Sequence, residues 1–167
     1  RIRRVVVSTY QSVSGAGQEA MDELFEQTKA IYMNDRKAPS VLPKQIAFNC
    51  IPRIDSFLED GSTKEEWKMM VETQTILDPE IEVAATCVRV PVFVGHALSV
   101  NVEFEEPLEP DDARNALFDF SGVLVVDRPD EDEYVTQIDC VGDHATFVSR
   151  IRKDPTVPHG LAMWVVA

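Results

Sequence analysis

Arg89 and His96 bracket the segment Arg89-Val90-Pro91-Val92-Phe93-Val94-Gly95-His96. A guanidinium offers a planar, two-pronged contact to a carboxylate, and an imidazole moves protons near neutral pH. The two residues differ by an odd number of positions, so one straight strand would aim them at opposite faces. Pro91 and Gly95 lie where a strand would break and turn. A reversal there would aim both side chains into one pocket. Glu65 and Lys68, three positions apart, share a face if they lie on a helix; read alone they are an ordinary surface ion pair. In Ser8-Thr9-Tyr10-Gln11-Ser12-Val13-Ser14-Gly15-Ala16-Gly17, the glycines would let backbone N–H groups approach a bound group at a strand-to-helix turn. A lone G-x-G is equally a plain turn.

Two further segments invite chemistry and return a plainer reading. Arg150-Ile151-Arg152-Lys153-Asp154 is a rare basic cluster in an acidic chain; a solvated strand end, an inter-subunit ion-pair network and a phosphate contact all fit it. Asn49-Cys50 begins like a nucleophile motif, but Ile51-Pro52 follows and nothing nearby supplies a base, so Cys50 reads as a buried structural thiol. The three cysteines, Cys50, Cys87 and Cys140, form no CxxC pair, and the three histidines have no zinc-ligand spacing to them. Reduced, mostly buried thiols and no metal site are expected.

The elements that must position these residues follow from periodicity. Val5–Tyr10 is β-branched and aromatic, a strand. Ala20, Met21, Leu24, Phe25, Thr28 and Ile31 recur at helical spacing, which predicts an amphipathic helix over Gly17–Tyr32. Asn34–Lys44 is a loop, and Gln45–Ile51 is strand-like. Ser62-Thr63-Lys64-Glu65-Glu66 is a capping pattern, and Trp67, Met70, Val71 and Ile76 continue the helix. Glu82–Val90 and Ala97–Phe104 read as strands. Pro110 and the acids after it open a third helix with Leu117 and Phe118 on its buried side, ending at Ser121-Gly122. Val123–Val126, Thr146–Arg152 and Leu161–Val166 are strands, and Asp127–Glu133 is an acidic loop with no evident chemistry. Mixed β and α without regular alternation predicts an α+β fold, a mixed, largely antiparallel sheet with helices on one face. A partner subunit is the natural cover for the other face.

Composition narrows the class. The 167 residues suit one domain spanning 1–167, and 29 acidic residues against 16 basic ones leave a net charge of −13. Nucleic acid is excluded as a partner, because phosphate binding needs clustered Lys and Arg. Charged residues interrupt every apolar run, so no membrane span is expected, and no signal peptide is visible. A cytoplasmic protein is the expectation. The first residue, Arg1, is not Met and begins a strand-like run, and Leu161–Ala167 is another; both ends read as cuts in a longer protein.

Five blocks in order resemble aspartate-semialdehyde dehydrogenase along nearly the whole chain: Val7–Gly17, Ile46–Pro52, Glu65–Thr73, Arg89–His96 and Val148–Asp154. The resemblance implies the C-terminal domain of the glyceraldehyde-3-phosphate dehydrogenase-like fold, which serves catalysis and dimerisation. It implies NADPH-dependent reduction of aspartyl phosphate to aspartate semialdehyde with release of phosphate, on the route to lysine and diaminopimelate, threonine and methionine. It also implies roles for single residues. Arg89 holds the substrate carboxylate, Glu65 meets the amino group, Lys68 meets the phosphate and Gln11 positions the reacting carbonyl. His96 is the general acid/base, and Ser14 and Gly15 approach the nicotinamide of NADP. A homodimer is implied as well.

The family's cysteine nucleophile, its Gly-rich Rossmann segment and its last helix have no counterpart in these residues. The expectation is therefore half an active site, inactive alone. Two alternatives stand beside it. One is a stand-alone dimerisation module. The other is an N-acetylglutamyl-phosphate reductase-type domain, against which Glu65 argues because an acetylated amine carries no charge to pair with.

Overall fold

The computed structural model describes residues 1–167. Six strands form one sheet: β1 (Ile2–Gln11), β2 (Glu82–Arg89), β3 (Ala97–Phe104), β4 (Val123–Val125), β5 (Thr146–Asp154) and β6 (Gly160–Val166), in the spatial order β2-β1-β3-β6-β5-β4. β1 pairs with β2 in parallel, as does β4 with β5, whereas β1–β3, β3–β6 and β6–β5 are antiparallel. This is the expected α+β architecture. The parallel β1–β2 pair needs a long crossover, and α1 (Gln18–Tyr32) and α2 (Lys64–Ile76) supply it. A third helix, α3 (Pro110–Phe118), leads into β4.

The register sorts side chains to two faces, since directly paired residues share a face. Thr9, Leu98 and Cys87 are cross-strand partners, and so are Gln11 and Arg89. This face carries the helices. Ala113 of α3 packs with Val148, Ile151 and Leu161, joined by Leu117 and Val165. The opposite face carries Tyr10, Ala97, Trp164 and Val166, covered only locally by Val135 and Cys140. Tyr10 and Trp164 stack with ring centroids 5.2 Å apart, and Trp164 Nε1 donates to the Val135 carbonyl at 3.1 Å. Ala84 and Thr86 on that side of β2 are exposed.

α1 packs beyond the sheet's end, burying Ala20 and Leu24 against Val13, Ile46, Ala47 and Ile51. Two buried polar residues fasten it. Glu23 accepts hydrogen bonds from the N–H groups of Ser40, Val41 and Leu42 and from the Ser40 hydroxyl. Gln27 Oε1 accepts from the N–H groups of Ile46 and Ala47. Burial pushes the Glu23 carboxyl pKa up, but the donors from Val41, Ser40 and Leu42 outweigh it, and the net shift is downward.

Several expectations need correction. Gln45–Ile51 is not a strand: the Gln27 side chain occupies two of its N–H groups, Phe48 has a positive φ of 57°, and only Ile51 bridges to Arg89. Cys50 is exposed rather than buried, because it sits in the turn after the buried pair Ile46-Ala47; Cys87 and Cys140 are buried. Phe118 is 76% exposed, leaving Ala113 and Leu117 to bury α3. Phe25 and Ile31 also lie outside the buried stripe of α1. The Asp127–Glu133 loop has structural work: the Asp127 carboxylate accepts from Arg150 N, Ile151 N and Arg114 Nε at 2.6, 3.1 and 2.7 Å. It holds a bulge in β5 where Arg150 adopts a φ of 58°.

Candidate active site

β1 and β2 end side by side with Gln11 opposite Arg89, which sets two polar side chains at one corner of the sheet. The chain after β1 folds into a short 3-10 turn, Val13–Ala16, and the segment after β2 folds against it. Val13 N donates to Val92 O at 2.9 Å and Ser14 N to Phe93 O at 3.0 Å. Gly95, at a φ of 90°, completes the reversal, and His96 then enters beside the turn. The side-chain amide of Gln137 secures that reversal, donating to Tyr10 O at 2.9 Å and Gly95 O at 2.6 Å. Arg89 and His96 therefore converge. A Cβ placed on Gly15 would lie 3.2 Å from both Arg89 Nη1 and His96 Nε2.

α2 brings the remaining charges. Its capping box is complete, with Thr63 N donating to Glu66 Oε2 at 2.7 Å and Glu66 N to Thr63 Oγ1 at 3.4 Å. The second oxygen of Glu66 accepts from Cys87 N of β2 at 2.9 Å. One carboxylate thus caps the helix and docks it on the edge strand, and this orients the neighbouring Glu65. Lys68 Nζ donates to Glu65 Oε2 at 3.1 Å, and Glu65 Oε1 lies 3.5 Å from Gln11 Nε2.

An open cleft of about 610 Å³ results, lined by Gln11, Gly15, Glu65, Lys68, Arg89 and His96 together with Thr9, Ile54, Asp55, Met69, Ala97 and Leu98. All the residues given site roles by the resemblance line it except Ser14, whose hydroxyl lies 3.0 Å from Ser12 Oγ. Arg150 and Arg152 are elsewhere, and Lys153 pairs with Glu109 at 2.7 Å. None of the three thiols lines the cleft, and burial pushes the Cys87 pKa up. No group of His, Cys, Asp and Glu is arranged to hold a metal ion.

The electrostatics are uneven. Arg89 is 6% exposed and forms no ion pair; its one hydrogen bond runs from Nη1 to Ser12 O at 2.7 Å. Burial draws its pKa down, against an upward pull from nearby Glu65. Lys68 is the opposite case, an exposed ammonium whose pKa is raised by its hydrogen bond to Glu65 and by that carboxylate's charge. The cleft thus offers a buried guanidinium with open valence, a carboxylate, a mobile ammonium and an imidazole. These could bind a small zwitterion carrying a further anionic group and move a proton beside it.

Sequence reasoning overlooked Ser12 and Thr9. Ser12 is fully buried and touches the His96 ring through both its N–H and its hydroxyl. Thr9 Oγ1 accepts from Gln11 Nε2 at 3.3 Å and from Val88 N at 3.3 Å. The available signal for Thr9 was its position two residues before Gln11, on the same strand face.

Comparison with known proteins shows the family and the fold. The family described as "Semialdehyde dehydrogenase, dimerisation domain" matches residues 1–167. The aspartate-semialdehyde dehydrogenase of Aquifex aeolicus is 51% identical over 169 residues, covering 99% of this chain and 49% of that protein. That of Bacillus subtilis is 43% identical over 175 residues, covering 99% and 51%. Among solved structures, aspartate semialdehyde dehydrogenase II from Vibrio cholerae, complexed with ASA, superposes with a TM-score of 0.95 at 44% identity, covering 99% of this chain and 49% of that one. The Candida albicans enzyme with NADP, at 22% identity and a TM-score of 0.70, covering 100% of this chain and 46% of that one, shares the fold. The chain spans about half the length of the curated relatives it matches. On sequence and on fold together, it belongs to the semialdehyde dehydrogenase dimerisation-domain family.

Proposed function

We propose that these residues are the substrate-binding and proton-transfer half of an aspartate-semialdehyde dehydrogenase, which reduces aspartyl phosphate to aspartate semialdehyde and releases phosphate. The nucleotide-binding domain and the thiol nucleophile lie outside the 167 residues in this reading, which accords with a cleft that no cysteine lines. The observation that carries it is the buried, unpaired guanidinium of Arg89 facing the same space as His96. A desolvated cation without a counter-ion is costly to keep, and an anionic substrate relieves that cost.

The roles follow from charge. Arg89 takes the substrate carboxylate, Glu65 the ammonium and Lys68 the phosphate, each of complementary sign. Gln11, held by Thr9, orients the reacting carbonyl. His96 acts on the proton at the oxygen of that carbonyl through Nε2, the ring nitrogen nearest Gly15. The carboxylate of Glu65 favours a free ammonium over an acetylated amine, so the N-acetylglutamyl alternative is the weaker reading. The missing side chain of Gly15 lets Arg89 and His96 close on the turn, where even a single Cβ would crowd both at 3.2 Å, and Ser14 and Gly15 would hold the nicotinamide end of NADP beside them. The bound cofactor supplies the hydride. The product feeds lysine, threonine and methionine synthesis.

The protein acts as a cytoplasmic homodimer in this reading, with a second copy covering the helix-free face around Tyr10 and Trp164. Steady-state kinetics of the complete enzyme test the assignment. His96→Ala should lower kcat by about 10²–10⁴, and Arg89→Ala should act mainly on KM. Unchanged kinetics in both variants would reject it.

A further inference from the structure

His96 meets Ser12 twice, and the two contacts decide where the ring keeps its proton. The peptide N–H of Ser12 donates to His96 Nδ1 at 3.2 Å. No other acceptor for that N–H exists in the chain, and Ser12 is fully buried. A peptide nitrogen can only donate, so Nδ1 must present its lone pair to it. The Ser12 hydroxyl, 3.0 Å from Nδ1 and 3.0 Å from Ser14 Oγ, adapts to either partner by rotating and does not oppose this. A proton on Nδ1 would instead leave a buried N–H without a partner, an arrangement native interiors avoid.

We infer that the Ser12 peptide locks the neutral His96 ring in its Nε2–H tautomer, making Ser12 a positioning residue for the proton that faces the cleft. The inference rests on the proposed role of the cleft for its meaning in catalysis, but the tautomer itself does not. Nε2 is the ring nitrogen that lies beside Gly15, which lines the cleft. The neutral ring therefore meets a bound carbonyl as a hydrogen-bond donor. Its one vacant lone pair, on Nδ1, is turned into the protein, out of reach of any group in the cleft. Neutral His96 enters the reaction as a hydrogen-bond donor to charge building on the substrate oxygen.

The molecule contains its own reference. His159 Nδ1 lies 3.0 Å from the carbonyl oxygen of Glu105. That oxygen only accepts, so His159 holds its proton on Nδ1, opposite to His96. His144 is exposed and makes no side-chain hydrogen bond.

Long-range proton–nitrogen correlation spectra of the ¹⁵N-histidine-labelled protein, with the rings in their neutral form, read each tautomer directly. His144→Gln and His159→Gln assign the signals. His96 should show Nε2–H over Nδ1–H by about tenfold or more, the ratio set by the cost of an unsatisfied buried donor. Ser12→Ala keeps the peptide N–H and should keep that preference. A majority of Nδ1–H in the unaltered protein overturns the inference, and so does an even mixture appearing in Ser12→Ala, which would give control to the hydroxyl. The spectra need no turnover. Loss of the dehydrogenase reading would leave the tautomer standing, and the wrong tautomer would leave that reading intact.

Discussion

Arg89 Nη1 donates to the carbonyl oxygen of Ser12 at 2.7 Å, so a buried guanidinium is steadied by a peptide group and by no carboxylate. A single neutral acceptor fixes the direction of the planar fork and leaves most of its donors free. The same Ser12 sends its N–H to His96. One residue at the end of β1 thereby sets the two groups to which the proposed function assigns substrate binding and proton transfer.

Replacing Arg89 by Lys keeps the charge but loses the fork. The lost charged hydrogen bond is worth about 1.5–3 kcal/mol, so KM in the complete enzyme should rise by about 10- to 150-fold, with kcat changing far less. A fall confined to kcat would show that Arg89 acts in the chemical step instead.

Gly15→Ala tests the close approach of Arg89 and His96 to the turn. The new Cβ would sit 3.2 Å from Arg89 Nη1 and His96 Nε2, and both side chains must yield by a few tenths of an ångström. Gly15 is not among the positive-φ glycines, so alanine imposes no backbone strain. Thermal melting should move by about 2 °C or less, while kcat/KM falls about tenfold or more, as misplaced catalytic groups do. Unaltered kcat/KM would mean that the close approach of Arg89 and His96 to Gly15 is not needed for the reaction.

Glu66→Ala removes the acceptors of Thr63 N and Cys87 N together, leaving the Thr63 side-chain cap in place. Each stranded N–H costs about 1 kcal/mol or more. Chemical denaturation should therefore show about 2 kcal/mol of destabilisation. Because Glu65 and Lys68 ride on the same turn, substrate affinity should fall too. Destabilisation without weaker binding would separate these two contacts from the site.

Glu23→Gln should cost about 2–3 kcal/mol, since three backbone N–H groups lose a charged acceptor. The sign with pH follows from the lowered pKa of Glu23 in the folded protein. The contribution is fully present above the ordinary carboxylate range and is lost as pH falls through the depressed folded value. Urea midpoints of the two proteins should differ at neutral pH and converge in acid. A difference independent of pH would assign the effect to packing.

Local signals read well in this sequence. β3 falls on its predicted bounds, Ala97–Phe104, because it pairs along its length with β1 on one side and β6 on the other. The start of α2 is announced by Thr63 and Glu66, whose capping box is made within four residues. The Arg89–His96 reversal was legible from Pro91 and Gly95. Distant partners were not. Gln27 draws two N–H groups from residues about twenty positions ahead, so Gln45–Ile51 looks extended and is not. Asp127 holds the bulge at Arg150 from 23 residues away. Ser12 carries no pattern at all, since its decisive contact comes from a backbone N–H that every residue but proline possesses.

The strand order has a consequence for how the chain is made. β6, last in sequence, lies between β3 and β5 and is the one strand that joins β2-β1-β3 to β5-β4. Until residues 160–166 leave the ribosome, two separate ribbons must wait with open hydrogen-bonding edges, and neither can close the sheet for the other. The sheet can therefore be assembled only once β6 has been made, and until then the open edges of the two ribbons are exposed to wrong pairing.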